Sequence, residues 1–485
     1  MLYIGIDLGT SSTKALLVNE KGEIIRSASR SYGIIYPNPG WTEQNPEDWV
    51  NALKEIIKEL SVGHKDEIKG ISFGGQMHGL VVLDKSDKII RPCILWNDGR
   101  TEEETKYLNE IIGRETLSKY TGNIAFAGFT LPKILWLKNH EKENFDRIDK
   151  IMLPKDYLAY YLTGVHATDY SDASGMLLLD VKNRCWSKEM VEISKIKLEM
   201  LPKLYESYEV IGKIKENIAT ELGLSKEVNV VIGAGDNAAA AIGTGTVGDN
   251  SCNISLGTSG TIFITSNNFS VDNKNSLHSF CHADSKYHLM GCILSAASCN
   301  GWWLSKILNR SDFDYHNEEM KNISPDNNVF FLPYLSGERS PHNDVHARGA
   351  FIGLSHQTTE PMMGRAVLEG VAFALRDCLE VAKASGIKLT STKLCGGGSR
   401  TTLWISIISN VLNLPVEMPV IEEGPSYGAA ILAMVGSKEY KDVLSATKQI
   451  VKIKETVYPN VKDVEIYEKK YQTFKKLYPA LKGIL

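Results

Sequence analysis

The sequence lacks the long hydrophobic stretch that a membrane-spanning helix requires. Its apolar runs are far shorter than the ~20 residues that cross a bilayer, and Asp236 interrupts one of them. Residues 1–7 have neither the basic segment nor the cleavage site of a secretory signal peptide. These absences predict a cytoplasmic protein with no membrane partner.

The sequence also lacks an excess of one charge and lacks paired cysteines. A net charge of −4 over 485 residues comes with no basic stripe, so no nucleic-acid partner is expected. The eight cysteines are scattered and form no Cys-x-x-Cys pair, which predicts reduced thiols in a chain stabilised by its core. One cluster suggests metal ligands, although its apolar neighbours favour packed strands: His278, Cys281, His282 and His288.

The most informative stretch is residues 230–240, Val-Val-Ile-Gly-Ala-Gly-Asp-Asn-Ala-Ala-Ala. Its β-branched run predicts a buried strand, and the alanines after Asn237 predict the start of a helix. Asp236 would then stand where a strand turns into a helix, which is where α/β proteins place ligand sites. Two interpretations are open: Asp236 is the general base of a small-molecule kinase, or it simply caps the helix.

A short hairpin with the same plan occurs twice. The first joins its strands through Leu8-Gly9-Thr10-Ser11-Ser12, and the second through Gly257-Thr258-Ser259-Gly260. Turns of Gly, Thr and Ser expose backbone N–H and hydroxyl donors that can bind phosphate. The alternative is that each is only a well-formed hairpin.

This repetition predicts two similar α/β lobes with a cleft between them, residues 1–243 and residues 244–485. Asp7 ends the first apolar strand of the first lobe. A carboxylate in that position needs a partner, and Mg²⁺ with its water shell is a suitable one.

Two loops of the first half carry side chains suited to a polyhydroxyl ligand. Residues 74–79, Gly-Gly-Gln-Met-His-Gly, let the backbone approach a ligand closely, and His78 could donate a hydrogen bond to a sugar hydroxyl. Residues 97–100, Asn-Asp-Gly-Arg, group an amide, a carboxylate and a guanidinium. A satisfied loop histidine and a structural turn with an internal ion pair are the alternatives. Residues 168–174, rich in hydroxyls and aspartate, are predicted to lie near the site.

Together these motifs resemble those of the FGGY family of carbohydrate kinases over essentially the whole chain. Residues 7–11 and 257–260 resemble the two phosphate hairpins, residues 235–237 the catalytic-base segment, and residues 396–400 the adenosine loop. The resemblance implies an α/β fold of two duplicated ribonuclease-H-like lobes, the actin-type ATPase fold, with the active site in the cleft between them. It also implies a sugar substrate, with ATP and Mg²⁺ as cofactors.

Within the family, residues 75–79 and 95–100 resemble most closely the kinases that act on D-xylulose, and residues 337–342 agree with them. The Arg-Glu pair expected of glycerol kinases near residue 77 is absent, and gluconate kinases match less well at residues 97–100. The implied reaction is phosphorylation of the 5-hydroxyl of D-xylulose. Gluconate, another ketose or another polyol stays open as the substrate.

The resemblance assigns roles residue by residue. Asp236 is implied as the general base, and Asp7 as a second catalytic carboxylate that holds Mg²⁺. Substrate contacts are implied for Met77, His78, Asn237, Asn97 and Asp98. Nucleotide contacts are implied for Thr10, Ser11, Ser12, Gly257, Thr258, Gly301, Trp302, Gly397 and Thr401, although Thr401 stands where some relatives have Asn.

Two other classes of protein remain as alternatives. An actin-like ATPase switch would share the phosphate hairpins but would have no need of the two sugar loops. A sugar-binding regulator without turnover is disfavoured because Asp7 and Asp236 are both present. A homodimer is left open.

Overall fold

The computed structural model describes residues 1–484, with the side chains of residues 313–316 left aside. The α-helices in this part of the chain are Pro46–Ser61, Glu102–Lys106, Arg114–Thr121, Thr130–His140, Lys142–Asp146, Pro154–Thr163, Tyr170–Ala173, Lys188–Ser194, Glu216–Leu222, Asp236–Gly243, Ala297–Trp302, Phe313–Lys321, Glu360–Ala384, Thr402–Leu412, Gly424–Gly436, Val443–Ile450 and Val461–Leu481. Short π- or 3-10-helical turns occupy Tyr107–Gly113, Ser174–Met176, Leu198–Met200, Trp303–Ile307 and Gly397–Arg400. Among the described residues, no helix combines the length and the apolar character needed to cross a membrane.

The first sheet is built around the N-terminal strand. Its seven strands are Leu2–Leu8, Ser12–Asn19, Ile24–Ser31, Ile68–Gly75, Val210–Lys213, Asn229–Val231 and Ala234–Gly235. Leu2–Leu8 pairs antiparallel with Ser12–Asn19 on one side and parallel with Ile68–Gly75 on the other. Asn229–Val231 continues the parallel part of the sheet beside Ile68–Gly75.

The second sheet repeats this plan. Its seven strands are Cys252–Leu256, Gly260–Ser266, His278–Cys281, Tyr287–Ile293, Thr392–Cys395, Val416–Pro419 and Ile453–Val457. Cys252–Leu256 pairs antiparallel with Gly260–Ser266 and parallel with Thr392–Cys395, and Val416–Pro419 is the next parallel strand. The predicted α/β fold with two duplicated lobes is confirmed.

Five two-stranded pairs lie outside the main sheets. They are Glu43–Gln44 with Cys93–Ile94, Val81–Leu83 with Lys150–Met152, Ala167–Asp169 with Lys203–Tyr205, Leu179–Asp180 with Cys185–Trp186, and Phe330–Leu332 with Ala350–Ile352. Four of the five pairs belong to the first lobe.

Burial explains why the central strands form where the apolar runs predict them. In Leu2–Leu8 every side chain is buried except that of Asp7, which is only partly buried. Strands covered by helices on both faces carry continuous apolar runs of this kind. The one charged residue of the strand therefore lies near its carboxyl end, where the sheet borders the cleft.

The helix Gly424–Gly436 connects the two halves because it packs on the first sheet and against Asp236–Gly243. Both contacts are possible only because a glycine, which has no side chain, stands at each. A Cβ on Gly428 would lie 1.8 Å from the carbonyl oxygen of Ala239, and a Cβ on Gly5 would lie 1.9 Å from that of Ser426. Only glycine permits such an approach, and the helix that begins at Asp236 is held by this contact.

Candidate active site

The register of the first sheet places both predicted catalytic carboxylates at one edge. Asp7 pairs with Gly74, and Ala234 pairs with the same Gly74 from the other side. The chain then turns at Gly235 into the helix Asp236–Gly243. The carboxyl ends of neighbouring parallel strands meet in this way at the site of α/β proteins.

The geometry of Asp236 differs from that of a helix cap. The N-cap residue is Gly235, and Asp236 is the first residue of the helix. Its Oδ1 accepts hydrogen bonds from the backbone N–H of Asn237 at 2.6 Å and from Asn237 Nδ2 at 2.8 Å. Within the described chain, Oδ2 has no hydrogen-bond partner, so one carboxylate oxygen is available to a ligand.

The pKa values of the two carboxyl groups are both raised toward neutral pH. Burial raises the pKa of Asp236 to about 6, although the hydrogen bonds from Asn237 act in the opposite direction. Burial and the charge of Asp236 raise the pKa of Asp7 to about 7, against the influence of Lys14. Lys14 itself forms an ion pair with Glu423.

Two cavities meet at Asp236. The Met77 cavity, about 310 Å³, is lined by Met77, His78, Trp96, Phe126, Gly128, Phe129, Asp236, Asn237, Ser255, Gly257, Ser259, Thr261, Met290, Cys292 and Arg339. The Gly396 cavity, about 270 Å³, is lined by Asp236, Asn237, Ala240, Thr244, Asn253, Ser255, Thr261, Phe263, Cys395, Gly396, Glu422, Gly424 and Pro425. Residues of both halves line each cavity, and the carboxylate stands at their junction.

The Met77 cavity contains three of the five predicted substrate residues, namely Met77, His78 and Asn237. It also contains Trp96 and Arg339, which sequence analysis did not single out. Arg339 makes no ion pair within the described residues, and its guanidinium lies 5.2 Å from the centre of the Phe126 ring. An unpaired guanidinium in a cavity can bind oxygen atoms of a ligand.

His78 has a different hydrogen-bonding role from the predicted one. Its Nδ1 lies 2.9 Å from the carbonyl oxygen of Gly175, and because a carbonyl only accepts, Nδ1 must carry the proton. Burial and the neighbouring Lys133 hold the pKa of His78 well below its usual value, so the ring is neutral. Nε2 is therefore a hydrogen-bond acceptor and cannot donate.

Asn97 and Asp98 line neither cavity. Asn97 Oδ1 accepts from the hydroxyl of Thr42 at 2.8 Å. Asp98 accepts from Arg100 Nε at 2.8 Å and Nη2 at 2.7 Å, and from the backbone N–H of Thr42 at 2.6 Å. Asp98 is buried and fully engaged, so this loop is the structural turn with an internal ion pair that sequence analysis gave as the alternative.

The first hairpin turn lies beside the cleft without lining either cavity. Its backbone is closed by a hydrogen bond from the N–H of Gly9 to the carbonyl oxygen of Ser12, and Ser11 is exposed. The Thr10 hydroxyl donates to Gln76 Oε1 at 3.1 Å and accepts from Trp96 Nε1 at 2.9 Å.

The second hairpin turn does reach the cleft, because Gly257 lines the Met77 cavity. The carbonyl oxygen of Thr258 accepts from the backbone N–H of Ala296 at 2.9 Å, just before the helix Ala297–Trp302. Gly301 and Trp302 lie on this helix, where the Trp302 ring stacks on Phe331 at 5.9 Å. Neither residue lines the two cavities.

The glycine-rich turn contributes Gly396, a residue that sequence analysis quoted in the motif but did not assign. Gly396 lines the Gly396 cavity with a φ of 90°, and a Cβ there would lie 2.7 Å from the carbonyl oxygen of Leu256. Gly397 begins the following 3-10 turn, and Thr401 caps the helix Thr402–Leu412. The positive φ of Gly396 explains why the motif needs glycine at this position.

The four residues suggested as a metal cluster lie on packed strands, His278–Cys281 and Tyr287–Ile293, or directly beside them. The His288 ring stacks on Phe263 at 3.9 Å, and the His278 ring stacks on Phe280 at 5.4 Å. Among the side chains that the structure describes, no group of three or more is placed to hold a metal ion. The aromatic packing accounts for these histidines.

Asp7 nevertheless fits a hydrated Mg²⁺. Its carboxylate forms no hydrogen bond or ion pair with any described residue, and the charge of Asp236 adds to its own. Mg²⁺ is commonly held by one or two carboxylates, with water and substrate phosphates completing its shell. A carboxylate without a partner among the described residues, at the strand end that leads into the first hairpin turn, is sufficient for that arrangement.

Two duplicated α/β lobes, with two cavities meeting at an unencumbered carboxylate oxygen, define a two-lobed small-molecule kinase. The comparison with known proteins is more specific. The sequence matches the FGGY family of carbohydrate kinases, N-terminal domain, over residues 2–243 and C-terminal domain over residues 252–437. The chain belongs to this family and is a carbohydrate kinase.

Relatives matched over their full length show which members of the family this chain is similar to. The chain is 40% identical to a xylulose kinase from Escherichia coli (strain K12), with 99% of each chain covered. A crystal structure of a xyloylose kinase from Brucella ovis superposes with a TM-score of 0.95 at 39% identity, covering 100% of both chains. A gluconate kinase from Lactobacillus acidophilus has the same TM-score at 28% identity, covering 100% of this chain and 99% of its own.

Proposed function

We propose that this chain transfers the γ-phosphoryl group of ATP to the 5-hydroxyl of D-xylulose. The observation that carries the proposal is the position of Asp236, which lines both the Met77 and the Gly396 cavities and whose Oδ2 has no hydrogen-bond partner among the described residues. The names of the full-length relatives support D-xylulose as the substrate. We also propose that residues 1–243 bind the sugar and carry the base, and that residues 244–485 bind the nucleotide.

In the proposed reaction, the sugar lies in the Met77 cavity with its reacting hydroxyl toward Asp236. Asp236 accepts the hydroxyl proton while the oxygen forms a bond to the γ-phosphorus and the bond from phosphorus to the bridging oxygen of ADP breaks. A carboxylate with a pKa of about 6 is ionised at neutral pH and can take up this proton. The proton passes to solvent after the products leave.

The other residues position the reactants. Because phosphoryl transfer requires little covalent participation, positioning and charge stabilisation supply most of the rate. Nε2 of His78, the amide of Asn237 and the guanidinium of Arg339 orient the sugar oxygens, with Met77 and Trp96 packed against its carbon skeleton. These residues replace Asn97 and Asp98 as the proposed polar contacts.

The nucleotide is proposed to lie in the Gly396 cavity, with its phosphates between the two hairpin turns. Backbone N–H groups of residues 10–12 and 257–258 serve as phosphate donors, and Gly396 lets the backbone approach the nucleoside. Asp7 would hold Mg²⁺, which would neutralise phosphate charge when bound. Gly301, Trp302, Gly397 and Thr401 border this region as proposed outer contacts.

The experiment that tests the proposal is ADP release with Mg-ATP against D-xylulose, L-xylulose, D-ribulose, L-ribulose, D-gluconate, glycerol and no sugar. A kcat/KM for D-xylulose at least tenfold above that for every other sugar is expected. Preference for gluconate or another polyol would support kinase activity but would contradict D-xylulose as the substrate. ATP turnover that no sugar changes would contradict the proposed reaction at Asp236.

A further inference from the structure

Residues 169–175 overlap the range 168–174, which sequence analysis placed near the site without a role, and they connect three parts of the first lobe. They comprise the end of the strand Ala167–Asp169, the short helix Tyr170–Ala173 and the start of the turn Ser174–Met176. We call this segment the brace. Its side chains Asp169, Ser171 and Asp172 are all fully buried.

A chain of hydrogen bonds leads from the brace to the backbone at Asp236. The N–H of Gly235 donates to Ser171 Oγ at 3.2 Å, and Ser171 Oγ donates to Asp169 Oδ2 at 2.5 Å. Asp169 Oδ1 lies 2.9 Å from Lys155 Nζ. Because the Asp169 carboxylate accepts from the Ser171 hydroxyl, it polarises that hydroxyl and makes Ser171 Oγ a better acceptor for the N–H of Gly235.

Lys155 anchors the chain in the core. It is fully buried and lies 2.7 Å from Asp156 Oδ1, 2.9 Å from Asp169 Oδ1 and 3.6 Å from Asp172 Oδ2. Burial alone would lower the pKa of Lys155, but the three carboxylates raise it, so the ammonium stays charged. Asp172 makes no hydrogen bond with any described residue, and burial raises the pKa of its carboxyl well above the usual value.

The same brace fixes the sugar loop. The carbonyl oxygen of Gly175 accepts from His78 Nδ1 at 2.9 Å, and a Cβ on Gly175 would lie 2.3 Å from the imidazole ring. On the other side, Lys155 packs so closely on Gly75 that a Cβ there would lie 2.7 Å from Lys155 Cβ. His78, which lines the Met77 cavity, is therefore held by the brace, and Gly75 at the start of the same loop is held by Lys155, the ion-pair partner of the brace.

We infer that Ser171 is a positioning residue, which holds the Gly235 peptide through the Lys155–Asp169 ion pair and thereby sets the place of Asp236 relative to His78. Ser171 touches neither reactant, so it acts only through this backbone contact. The inference rests on the proposed role of Asp236 as base. Small displacements of a reacting group reduce turnover strongly, whereas ligand affinity depends on many other contacts.

The chain offers a matched control for Ser171. Ser207 is equally buried, and its hydroxyl donates to the same atom, Asp169 Oδ2, at 2.7 Å. Only Ser171 also accepts from Gly235. Replacing either serine with alanine therefore removes one hydrogen bond to Asp169, but S171A alone releases the Gly235 peptide.

The test compares wild type, Ser171→Ala, Ser207→Ala and Ser171→Cys by kcat, by KM for D-xylulose and ATP, and by melting temperature. S171A is expected to lower kcat about tenfold, with KM for ATP within twofold of wild type. S207A is expected to lower the melting temperature similarly and to keep kcat within twofold. S171C, which retains a weak acceptor, is expected to keep more turnover than S171A.

Two results would overturn the inference. One is a kcat of S171A within twofold of wild type. The other is an equal loss of kcat in S207A, because that would mean that the stability of the buried group matters and the Gly235 contact does not. Wild type and Asp236→Asn are measured in the same assay. If D236N retained turnover, the assignment of Asp236 as the general base would be wrong. That outcome does not depend on any result with the Ser171 variants.

Discussion

The charge of Asp236 acts on Asp7. Together with burial it raises the pKa of Asp7 to about 7, while Lys14 offsets only part of the effect. The two carboxylates leave neighbouring strand ends of one sheet, so their closeness follows from the strand register. Two like charges in a partly buried cleft repel each other, and a divalent cation relieves that repulsion. A nucleotide that arrives with Mg²⁺ is therefore the ligand that we propose for this cleft.

Replacement of the proposed base is the most direct prediction. Asp236→Asn keeps the shape of the side chain but cannot accept the proton, so kcat for D-xylulose is expected to fall by about 10²–10⁴. KM for ATP should change little, because the amide can still occupy the junction of the cavities. ADP release measures both constants. Asp66→Asn, at an exposed position, is the control, and turnover of D236N within tenfold of wild type would contradict the assignment.

The pH dependence should report the ionisation of Asp236. Because the base acts as the carboxylate, kcat/KM for the sugar is expected to fall as the pH drops below about 6, the pKa of Asp236. Histidine is the residue type that most often titrates in this range. His78 is excluded because burial and Lys133 hold its pKa well below the usual value.

The variant His78→Asn separates these explanations. It should lower kcat/KM at every pH through a weaker sugar contact and should keep the transition near pH 6. Disappearance of that transition in H78N would assign it to the histidine and would contradict the prediction for Asp236. The measurement is a series of kcat/KM values at saturating Mg-ATP.

Asp7→Asn should stabilise the protein at neutral pH while impairing catalysis. The pKa of Asp7 is about 7 in the fold against an ordinary value of 3.8, so ionisation costs stability as the pH rises between these values. The melting temperature of D7N should therefore equal that of wild type below about pH 4 and exceed it increasingly up to about pH 7. Thermal unfolding without Mg²⁺ measures this difference.

The effect of Mg²⁺ should also differ between wild type and D7N. Mg-nucleotide should raise the melting temperature of the wild-type enzyme more than that of D7N. D7N should also need a higher Mg²⁺ concentration for half-maximal turnover. A Mg²⁺ titration identical in both proteins would mean that Asp7 does not take part in holding the ion.

The strand plan and the positions of both carboxylates were predictable because they depend on local pattern. Apolar runs end at Asp7 and before Asp236, and the repeated hairpins lie at corresponding places in the two sheets. The contacts of Arg339 and Asp98 were not predictable in this way. Arg339 reaches the cavity from a distant loop, and Asp98 is engaged by Arg100 and Thr42, so its apparent availability depends on tertiary partners.

The direction of the His78 hydrogen bond illustrates the same limit. Nothing in residues 74–79 indicates that a carbonyl almost a hundred positions away, that of Gly175, takes the Nδ1 proton. Similarly, the pattern of three glycines does not tell which one needs a positive φ, and the approach of Leu256 assigns that requirement to Gly396. Motifs located the site, and packing between distant segments decided what each atom does there.

The contact between the helices Asp236–Gly243 and Gly424–Gly436 leads to the last prediction. Gly428→Ala would place a Cβ 1.8 Å from the carbonyl oxygen of Ala239, and backbone cannot yield as a flexible side chain would. The helices must move apart, which is expected to cost about 2 kcal/mol or more and to displace Asp236. Both the melting temperature and kcat should therefore fall. Gly33→Ala, at a glycine with open space around it, is the control and should change neither. If G428A kept wild-type kcat with a lowered melting temperature, the helix contact would contribute to stability alone, and the position of Asp236 would depend on the first lobe by itself.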